Sequence, residues 1–259
     1  MTSRRGPTKP IFLIGSPKSG KTTMAKYFSQ HPDVVYCAEQ GSLWDPLQYH
    51  EPDADHCWTA ERATPSEVQR IVDAFQAICR RHGVSRFVND HARNSVRIGY
   101  LRRIFPDALF LHVVHDPRRV VLAILSKAVR DPWRQAVPML GYCKPPEWRT
   151  MVSDDVVAQT ARQWVGIVTY VRQWQAELGD ALLEAHFDQF CQNPRRELTR
   201  AYEWAGLPIL GNVLERLPAR VIPRGDLLPE HLPPVCRATI ETVTGPLLRQ
   251  LGYNGERYS

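Results

Sequence analysis

A single stretch decides the fold of this chain: Ile11-Phe-Leu-Ile-Gly-Ser-Pro-Lys-Ser-Gly-Lys-Thr-Thr23. Its first four residues are apolar and predict a short buried strand, and Gly15 to Thr22 matches the pattern G-x-x-x-x-G-K-[ST] in full. The glycines let the backbone curl so that its N–H groups point at phosphate oxygens. A helix predicted from about Lys21 adds a partial positive charge at its start. Strand, loop and helix together predict a site for the phosphates of a nucleotide.

Apolar runs and helical periods alternate along the rest of the chain. Strands are predicted at 11–14, 34–36, 86–89, 109–114 and 181–187. Helices are predicted at about 21–30, 65–82, 96–104, 117–130, 154–178, 194–205 and 235–251. This alternation predicts an α/β fold of the P-loop type, with three layers and a central, mostly parallel sheet flanked by helices.

We expect one domain over residues 1–259, with residues 1–9 flexible. Two stretches, 38–63 and 131–153, have no clear period and are predicted to be long loops on the substrate side. Their tryptophans could stack on an adenine or on an acceptor ring, or could pack on the core. These tryptophans are Trp44, Trp58, Trp133 and Trp148.

Composition and charge exclude several classes of protein. With 43% hydrophobic and 23% charged residues, the chain is neither disordered nor collagen-like. The net charge of +6 fits an anionic small ligand, and the absence of a basic stripe with interleaved aromatic residues argues against a nucleic-acid partner. No apolar run approaches the ~18 residues of a membrane span, so we expect a cytoplasmic protein with no membrane partner. The six cysteines show no C-x-x-C pair, which argues against a zinc site or a disulfide framework.

Four segments carry a family resemblance. They are Pro17-Lys-Ser-Gly-Lys-Thr-Thr23, Leu101-Arg-Arg-Ile-Phe-Pro-Asp-Ala108 with Leu111-His-Val-Val-His-Asp-Pro-Arg-Arg-Val-Val121, Ala185-His-Phe-Asp-Gln-Phe-Cys-Gln-Asn-Pro-Arg-Arg-Glu-Leu198, and Ala205-Gly-Leu-Pro208. In this order they resemble the sulfotransferase family, whose loop reads P-[KR]-S-G-T-T and whose donor is 3′-phosphoadenosine 5′-phosphosulfate (PAPS). The resemblance implies transfer of a sulfuryl group to a hydroxyl or amine of a small-molecule acceptor by in-line displacement. Positioning and electrostatics carry most of the catalysis in such transfers.

The resemblance also implies roles for the residues of the loop. Lys18 would contact the bridging and 5′-phosphosulfate oxygens and stabilise the leaving group. The 5′-phosphate would be held by backbone and hydroxyl donors of Ser19, Gly20, Thr22 and Thr23. The remaining predicted contacts to the cofactor within the loop are Gly15, Ser16, Pro17 and Lys21.

Three positions depart from the family's pattern. Lys21 stands where the family has threonine, His115 where it has the arginine that binds the 3′-phosphate, and Ala123 where it has the serine that accompanies this arginine. An imidazole and a methyl group are weaker phosphate ligands than a guanidinium and a hydroxyl. Nearby residues that could bind the 3′-phosphate together with His115 are Arg118, Arg119 and Ser126, and Arg224-Gly225 in the tail resembles a second family contact to that phosphate.

The same departures favour an alternative, a small-molecule kinase that uses ATP or GTP with Mg²⁺. Lys21 would then reach the β- and γ-phosphates, Thr22 would bind Mg²⁺, and Asp116 would supply the second ligand at the end of an apolar strand. The sulfotransferase interpretation expects no metal. A third possibility is a nucleotide-binding protein without catalytic activity.

Either reaction needs a general base near the loop to activate the acceptor. The segment Asn89-Asp-His-Ala-Arg-Asn94 follows a predicted strand and aligns loosely with the family's acceptor-side segment. His91 is the first candidate base and Asp90 the second, although each could instead be an exposed or capping side chain. Arg93 could bind phosphate or be solvated. The sequence does not identify the acceptor or the oligomeric state.

Overall fold

The computed structural model describes residues 7–38, 41–44, 53–130, 143–223 and 232–253. Four sequence predictions fall wholly or partly outside these ranges: Arg224, Trp133, most of the segment 1–9, and parts of the predicted loops 38–63 and 131–153. Within the described ranges, no helix combines the length and the apolar character that a membrane span requires.

A single sheet of five parallel strands forms the centre of the described chain. The strands are β1 (Ile11–Ile14), β2 (Val34–Cys37), β3 (Arg86–Asn89), β4 (Leu109–Val114) and β5 (Leu182–His186). Their order across the sheet is β2-β3-β1-β4-β5. The predicted mostly parallel sheet is therefore confirmed, and within the described residues it is wholly parallel. β1 is buried over its entire length, as expected for a strand covered on both faces.

Helices connect and cover these strands. In chain order they are α1 (Lys21–Phe28), α2 (Gly41–Trp44), α3 (Pro65–His82), α4 (Ile98–Ile104), α5 (Pro117–Arg130), α6 (Trp148–Met151), α7 (Val156–Gln173), α8 (Gln175–Leu178), α9 (Phe187–Gln192), α10 (Pro194–Ala205), α11 (Gly211–Leu214) and α12 (Pro234–Gln250). Short 3₁₀ turns occupy Ala60–Arg62, Ala92–Val96 and Gly179–Ala181.

Local signals set several helix boundaries. The side chain of Thr64 accepts from the Glu67 N–H while Glu67 reaches back to the Thr64 N–H, and Gly83 ends α3 in the left-handed conformation. The predicted long helix 154–178 is divided at Trp174, whose N–H bonds to the Val171 carbonyl, so that α7 ends there and α8 follows. The predicted strand 181–187 is shorter, because Phe187 already begins α9.

Alternating side chains of β1 build two cores on opposite faces of the sheet. Ile11 and Leu13 belong to a cluster with α1, α9 and α10. Phe12 and Ile14 belong to a cluster with α3 and α4, in which the rings of Phe75 and Phe87 stack 4.1 Å apart. These clusters cover both faces of the strand that leads into the predicted phosphate-binding loop.

The segment predicted as the loop 38–63 contributes to the second of these cores. It contains α2 and a 3₁₀ turn, and its tryptophans Trp44 and Trp58 are both buried there. The ring of Trp44 contacts Phe12 and Phe75. These two tryptophans therefore pack on the core, which was the alternative to stacking on a ligand.

Candidate active site

Three chain segments meet at the carboxyl end of the sheet. Gly15 follows β1, Asp90 follows β3 and His115 follows β4, and β1 lies between β3 and β4. From β1 the chain continues toward β2 on one side, and from β4 it continues to β5 on the other side. Such a divergence opens a crevice beyond the strand ends, which is the usual place for a ligand in open parallel sheets.

The loop after β1 has the backbone of a tight anion-binding turn. Gly15 and Gly20 have φ values of 137° and 94°, which favour glycine. A Cβ at Gly15 would overlap the Val113 carbonyl, and a Cβ at Gly20 would overlap the Phe187 ring. Lys18 adopts the left-handed region with φ of 63°, which costs a non-glycine residue roughly 1–2 kcal/mol. Strain of this kind clusters at binding sites.

The two lysines of the loop have different environments. The ammonium of Lys21 donates to the carbonyl oxygens of Gly15 at 2.8 Å and Ser16 at 2.7 Å, and the residue is only 6% exposed. Lys18, by contrast, is exposed. Lys21 therefore stabilises the loop from its inner side, while Lys18 lies at the surface of the loop.

The loop also contains a buried hydroxyl suited to an anion. Ser19 is 1% exposed, and its Oγ has no hydrogen-bond partner among the described residues. A buried polar atom without a partner is costly in a folded protein. With the exposed Lys18 and the N-terminus of α1 beside it, the residues of the loop fit a phosphate or phosphosulfate group. Within the described ranges, no group of three or more His, Cys, Asp or Glu residues is placed to hold a metal ion.

The segment after β3 is fastened to this loop at two points. Thr22, in the first turn of α1, donates its hydroxyl to Asp90 Oδ2 at 2.6 Å. Ser95 accepts from the N–H of Gly15 at 3.0 Å and donates to the carbonyl of the same residue at 2.9 Å. The sequence analysis missed Ser95, and no signal in the sequence marks it apart from its place after the third strand.

The kinase alternative required Thr22 and Asp116 to share a cation. The structure instead brings Thr22 to Asp90, while Asp116 pairs with Arg118 through contacts to Nε at 3.0 Å and Nη2 at 2.6 Å. The hydrogen bonds that Arg118 donates to Asp116 raise the pKa of Arg118, and this outweighs the opposing effect of its burial. Arg118 is thus engaged by a carboxylate, and its role at the 3′-phosphate stays a prediction.

Two further candidates for the 3′-phosphate, Arg119 and Ser126, lie along α5. They are spaced at i and i+7, with Ala123 at i+4 between them, and therefore share one face of the helix with it. The Ser126 hydroxyl donates to the carbonyl of Leu122 at 2.7 Å. All three side chains are half-buried.

His115 lies between the loop and two residues that the sequence analysis did not select. Its Nδ1 is 3.5 Å from the Lys18 carbonyl oxygen, and its Nε2 is 3.4 Å from Asp188 Oδ1. The hydroxyl of Tyr253 donates to the other oxygen of Asp188 at 3.1 Å. Asp188 falls inside the segment that resembles the family, whereas Tyr253, after the last helix, has no signal in the sequence.

The acceptor-side candidates are all buried. His91 and Asp90 are 1% and 2% exposed, and Arg93 is buried as well, so these three are not exposed or solvated side chains. The backbone N–H of His91 donates to Asn89 Oδ1 at 3.3 Å, and Asn94 donates to the same oxygen at 2.9 Å. His91 precedes the 3₁₀ turn Ala92–Val96 without capping it through its side chain. The turn is held rigidly beside the loop.

The described ends of the two predicted substrate-side loops contact each other. Trp148 donates its indole N–H to Asp55 Oδ1 at 2.7 Å, and Arg149 donates to the same oxygen at 2.8 Å. These hydrogen bonds, first that of Trp148, lower the pKa of Asp55 against the opposing effect of burial. Lys144 donates to the Ala54 carbonyl at 2.9 Å. A cavity of about 360 Å³ lies at this contact and is lined by Asp55, Cys57, Pro145, Pro146, Glu147, Trp148, Arg149 and Thr150.

Comparison with known proteins identifies the family of the chain. A sequence model described as "Sulfotransferase family" matches residues 10–210, a range that contains the loop, His91, His115 and Asp188. The chain belongs to the sulfotransferase family. It is accordingly a transferase, and this membership does not favour the kinase alternative.

Solved sulfotransferase structures share the fold. A sulfotransferase from Alicyclobacillus acidocaldarius is 17% identical, with 95% of each chain covered and a TM-score of 0.59. One from Mycobacterium avium is 13% identical, with 95% of this chain and 77% of that chain covered and a TM-score of 0.58. The sulfotransferase domain of a Synechococcus olefin synthase is 16% identical, with 97% of each chain covered and a TM-score of 0.55. At these identities the likeness concerns the fold alone.

Proposed function

We propose that this sulfotransferase uses PAPS as donor and transfers the sulfuryl group to a hydroxyl or amine of a small-molecule acceptor. The observation that carries the proposal is the difference between the environments of the two lysines of the loop. Lys21, the residue that a nucleoside triphosphate would require, is bound to the carbonyls of Gly15 and Ser16. Lys18, the residue that matches the family's loop, is exposed.

The donor site is assigned to the loop and the first turn of α1. When bound, PAPS supplies the sulfuryl group and leaves as 3′-phosphoadenosine 5′-phosphate (PAP). Lys18 places a positive charge where the leaving group gains negative charge, which is the interaction that accelerates transfer most. The hydroxyl of Ser19, which is buried and has no hydrogen-bond partner among the described residues, donates to the 5′-phosphate. Thr23 and the backbone N–H of Thr22 donate to it as well, since the Thr22 hydroxyl is engaged by Asp90.

The acceptor side is assigned to the segment after β3. His91 is the proposed general base, because it directly follows the residue that holds Thr22 and carries the only imidazole in the segment Asn89–Asn94. Asp90 is the second candidate, and its carboxylate also orients Thr22. The contact between Asp55 and Trp148 brings the two substrate-side segments together, and we assign the acceptor to this side of the crevice.

The melting temperature measured with PAP and, separately, with ATP and Mg²⁺ tests which donor the protein binds. PAP should stabilise the wild-type protein without Mg²⁺, and ATP with Mg²⁺ should stabilise it less. Lys18→Ala should abolish most of the shift caused by PAP while leaving the melting temperature of the free protein unchanged. Stabilisation by ATP with Mg²⁺ alone, lost in EDTA, would contradict the proposal.

A further inference from the structure

Gly15 is the first residue of the predicted phosphate-binding loop, and one buried side chain holds both of its polar backbone groups. The hydroxyl of Ser95 accepts from the Gly15 N–H at 3.0 Å and donates to the carbonyl oxygen of the same residue at 2.9 Å. A serine hydroxyl has one hydrogen to donate and lone pairs that accept, so Ser95 satisfies both groups at once. Ser95 is 0% exposed, and bulk water therefore does not compete for these bonds.

The two hydrogen bonds fix the peptide groups on either side of Gly15. Its N–H belongs to the peptide group shared with Ile14, and its carbonyl belongs to the one shared with Ser16. The ammonium of Lys21 donates to the same carbonyl at 2.8 Å. The φ of 137° and the overlap of a Cβ with the Val113 carbonyl exclude a side chain at Gly15. Partners inside the protein thus hold the start of the loop in one conformation.

The turn that carries Ser95 is itself fixed on both sides of this residue. Before it, the side chain of Asn94 donates to Asn89 Oδ1, at the end of β3, at 2.9 Å. After it, the carbonyl of Val96 accepts from the Trp58 N–H at 3.4 Å, and Val96 is buried. The hydroxyl of Ser95 therefore has a defined place beside the end of β1 before any ligand binds.

The same segment also holds the other end of the loop. Asp90, five residues before Ser95, accepts from the hydroxyl of Thr22 in the first turn of α1 at 2.6 Å. Gly15 and Thr22 are the first and last residues of the loop pattern. The segment from Asp90 to Ser95 is thus attached to both ends of the loop, with the loop's remaining residues between these two attachments.

We propose that Ser95 is a positioning residue of the donor site. It fixes the direction of the chain at Gly15, so that the groups that follow in the loop converge on the 5′-phosphate, and it does not touch the ligand itself. This inference rests on the proposed function, since the ligand is the PAPS donor or its product PAP. Hydrogen-bond donors that are held in place before binding give a higher affinity than donors that must be ordered during binding.

The test compares two nucleotides that differ in one phosphate. PAP carries the 5′-phosphate that the loop binds in the proposed function, whereas adenosine 3′-monophosphate lacks it. Calorimetric titration of PAP and competition with adenosine 3′-monophosphate give both dissociation constants for the wild type and for Ser95→Ala. We expect Ser95→Ala to bind PAP about tenfold more weakly, as when a charge-assisted hydrogen bond is misaligned. Its affinity for adenosine 3′-monophosphate should stay within about twofold, whereas general damage to the fold would weaken both ligands.

Two further variants separate the hydrogen bonds from packing and from the loss of any buried hydroxyl. Ser95→Cys fills the space that alanine leaves, but a thiol is a weak donor and acceptor, so it should resemble Ser95→Ala. Thr244 is also 0% exposed, and its hydroxyl donates to the Ile240 carbonyl at 2.8 Å within α12. Thr244→Val is therefore the matched control, and it should leave the ratio of the two dissociation constants unchanged.

Hydrogen exchange in the wild type tests the same role even if a variant of Ser95 fails to fold. The Gly15 amide should exchange at least about a hundredfold more slowly than in an unfolded chain, because it is buried and bonded to Ser95. Addition of PAP should change this rate little, since the amide does not bind the ligand. NMR of nitrogen-labelled protein with and without PAP measures both rates.

Several results would overturn the inference while leaving the proposed donor intact. They are an equal loss of both nucleotides in Ser95→Ala, an unchanged affinity for PAP in that variant, and a return to wild-type affinity in Ser95→Cys. A Gly15 amide that exchanges freely and becomes protected only when PAP binds would likewise exclude the role of Ser95. Failure of the wild type to bind PAP would instead refute the proposed donor, and the inference with it.

Discussion

Thr22 and Asp90 are 68 residues apart in the sequence, yet the Thr22 hydroxyl donates to the Asp90 carboxylate at 2.6 Å. One residue lies in the first turn of α1 and the other directly after β3. The bond therefore joins the proposed donor side of the crevice to the segment that carries both candidate bases. It also gives Thr22 a fixed orientation before any ligand binds, and such preorganisation favours transfer.

Removing this hydroxyl should affect both stability and donor binding. Thr22→Ala should lower the free energy of unfolding by about 1–3 kcal/mol, because the buried carboxylate of Asp90 loses a donor. Thr22→Ser keeps the hydroxyl and should stay within about 1 kcal/mol of the wild type. Urea unfolding and PAP titration measure the two effects. Equal behaviour of the Ala and Ser variants would show that the hydrogen bond contributes nothing.

Substitution of the two lysines of the loop should have different effects, one on stability and the other on the affinity for PAP. Lys21→Ala leaves the carbonyls of Gly15 and Ser16 without this donor and should cost about 1–3 kcal/mol of stability. Lys18→Ala removes an exposed side chain, so its stability should change by no more than about 0.5 kcal/mol. Thermal melts and PAP titration should therefore show a large loss of affinity in Lys18→Ala without a loss of stability. The reverse pattern would exchange the roles assigned to these residues.

Gly20 should be intolerant of a side chain for two reasons. Its φ of 94° disfavours any other residue, and a Cβ would also overlap the Phe187 ring. Gly83 is the matched control, since its φ of 69° is also positive but, apart from its own helix and chain neighbours, no atom of the described residues lies within 4 Å of its Cβ position. Gly83→Ala should cost about 1 kcal/mol, and Gly20→Ala should cost distinctly more and reduce PAP affinity. Similar costs at both positions would mean that the packing of Phe187 on the loop is unimportant.

Asp188 should make the stability depend on pH in the acid range. Its pKa in the folded protein lies below the ordinary value of 3.8, so the stability it provides is present above that value. The stability is lost as the pH falls through the folded pKa. The difference in unfolding free energy between wild type and Asp188→Asn should be greatest near about pH 5 and shrink below about pH 4. Chemical unfolding across this range measures it, and a difference that persists undiminished at low pH would contradict the assignment.

Much of the fold follows from local patterns in the sequence. The apolar run before Gly15, the capping residues Thr64 and Glu67, and the strand that ends before His115 each reflect interactions between near neighbours in the chain. Alternation of these elements is enough to predict a parallel sheet with helices on both faces. The same patterns do not tell a loop from buried structure in the segment around Trp44, because that segment is ordered by contacts with Phe12 and Phe75.

The site was harder to predict, because its contacts join distant parts of the chain. The sequence places acids after both neighbours of β1, and only the folded chain selects Asp90 rather than Asp116 as the partner of Thr22. Asp188, just after β5, faces His115, and Tyr253 donates to Asp188 from the chain beyond α12, far away in the sequence. No local period encodes such an arrangement. The loop itself could be predicted, because the residues that shape it are consecutive in the sequence.

The most direct measurement of the central claim is the transfer itself. Purified protein is incubated with PAPS and a panel of alcohols, phenols and amines, with EDTA present, and sulfated product and PAP are detected by mass spectrometry. We predict that PAP and a sulfated acceptor form together, and that Lys18→Ala abolishes both. Phosphorylated acceptor from ATP with Mg²⁺, and no sulfated product from PAPS with any acceptor, would contradict the account.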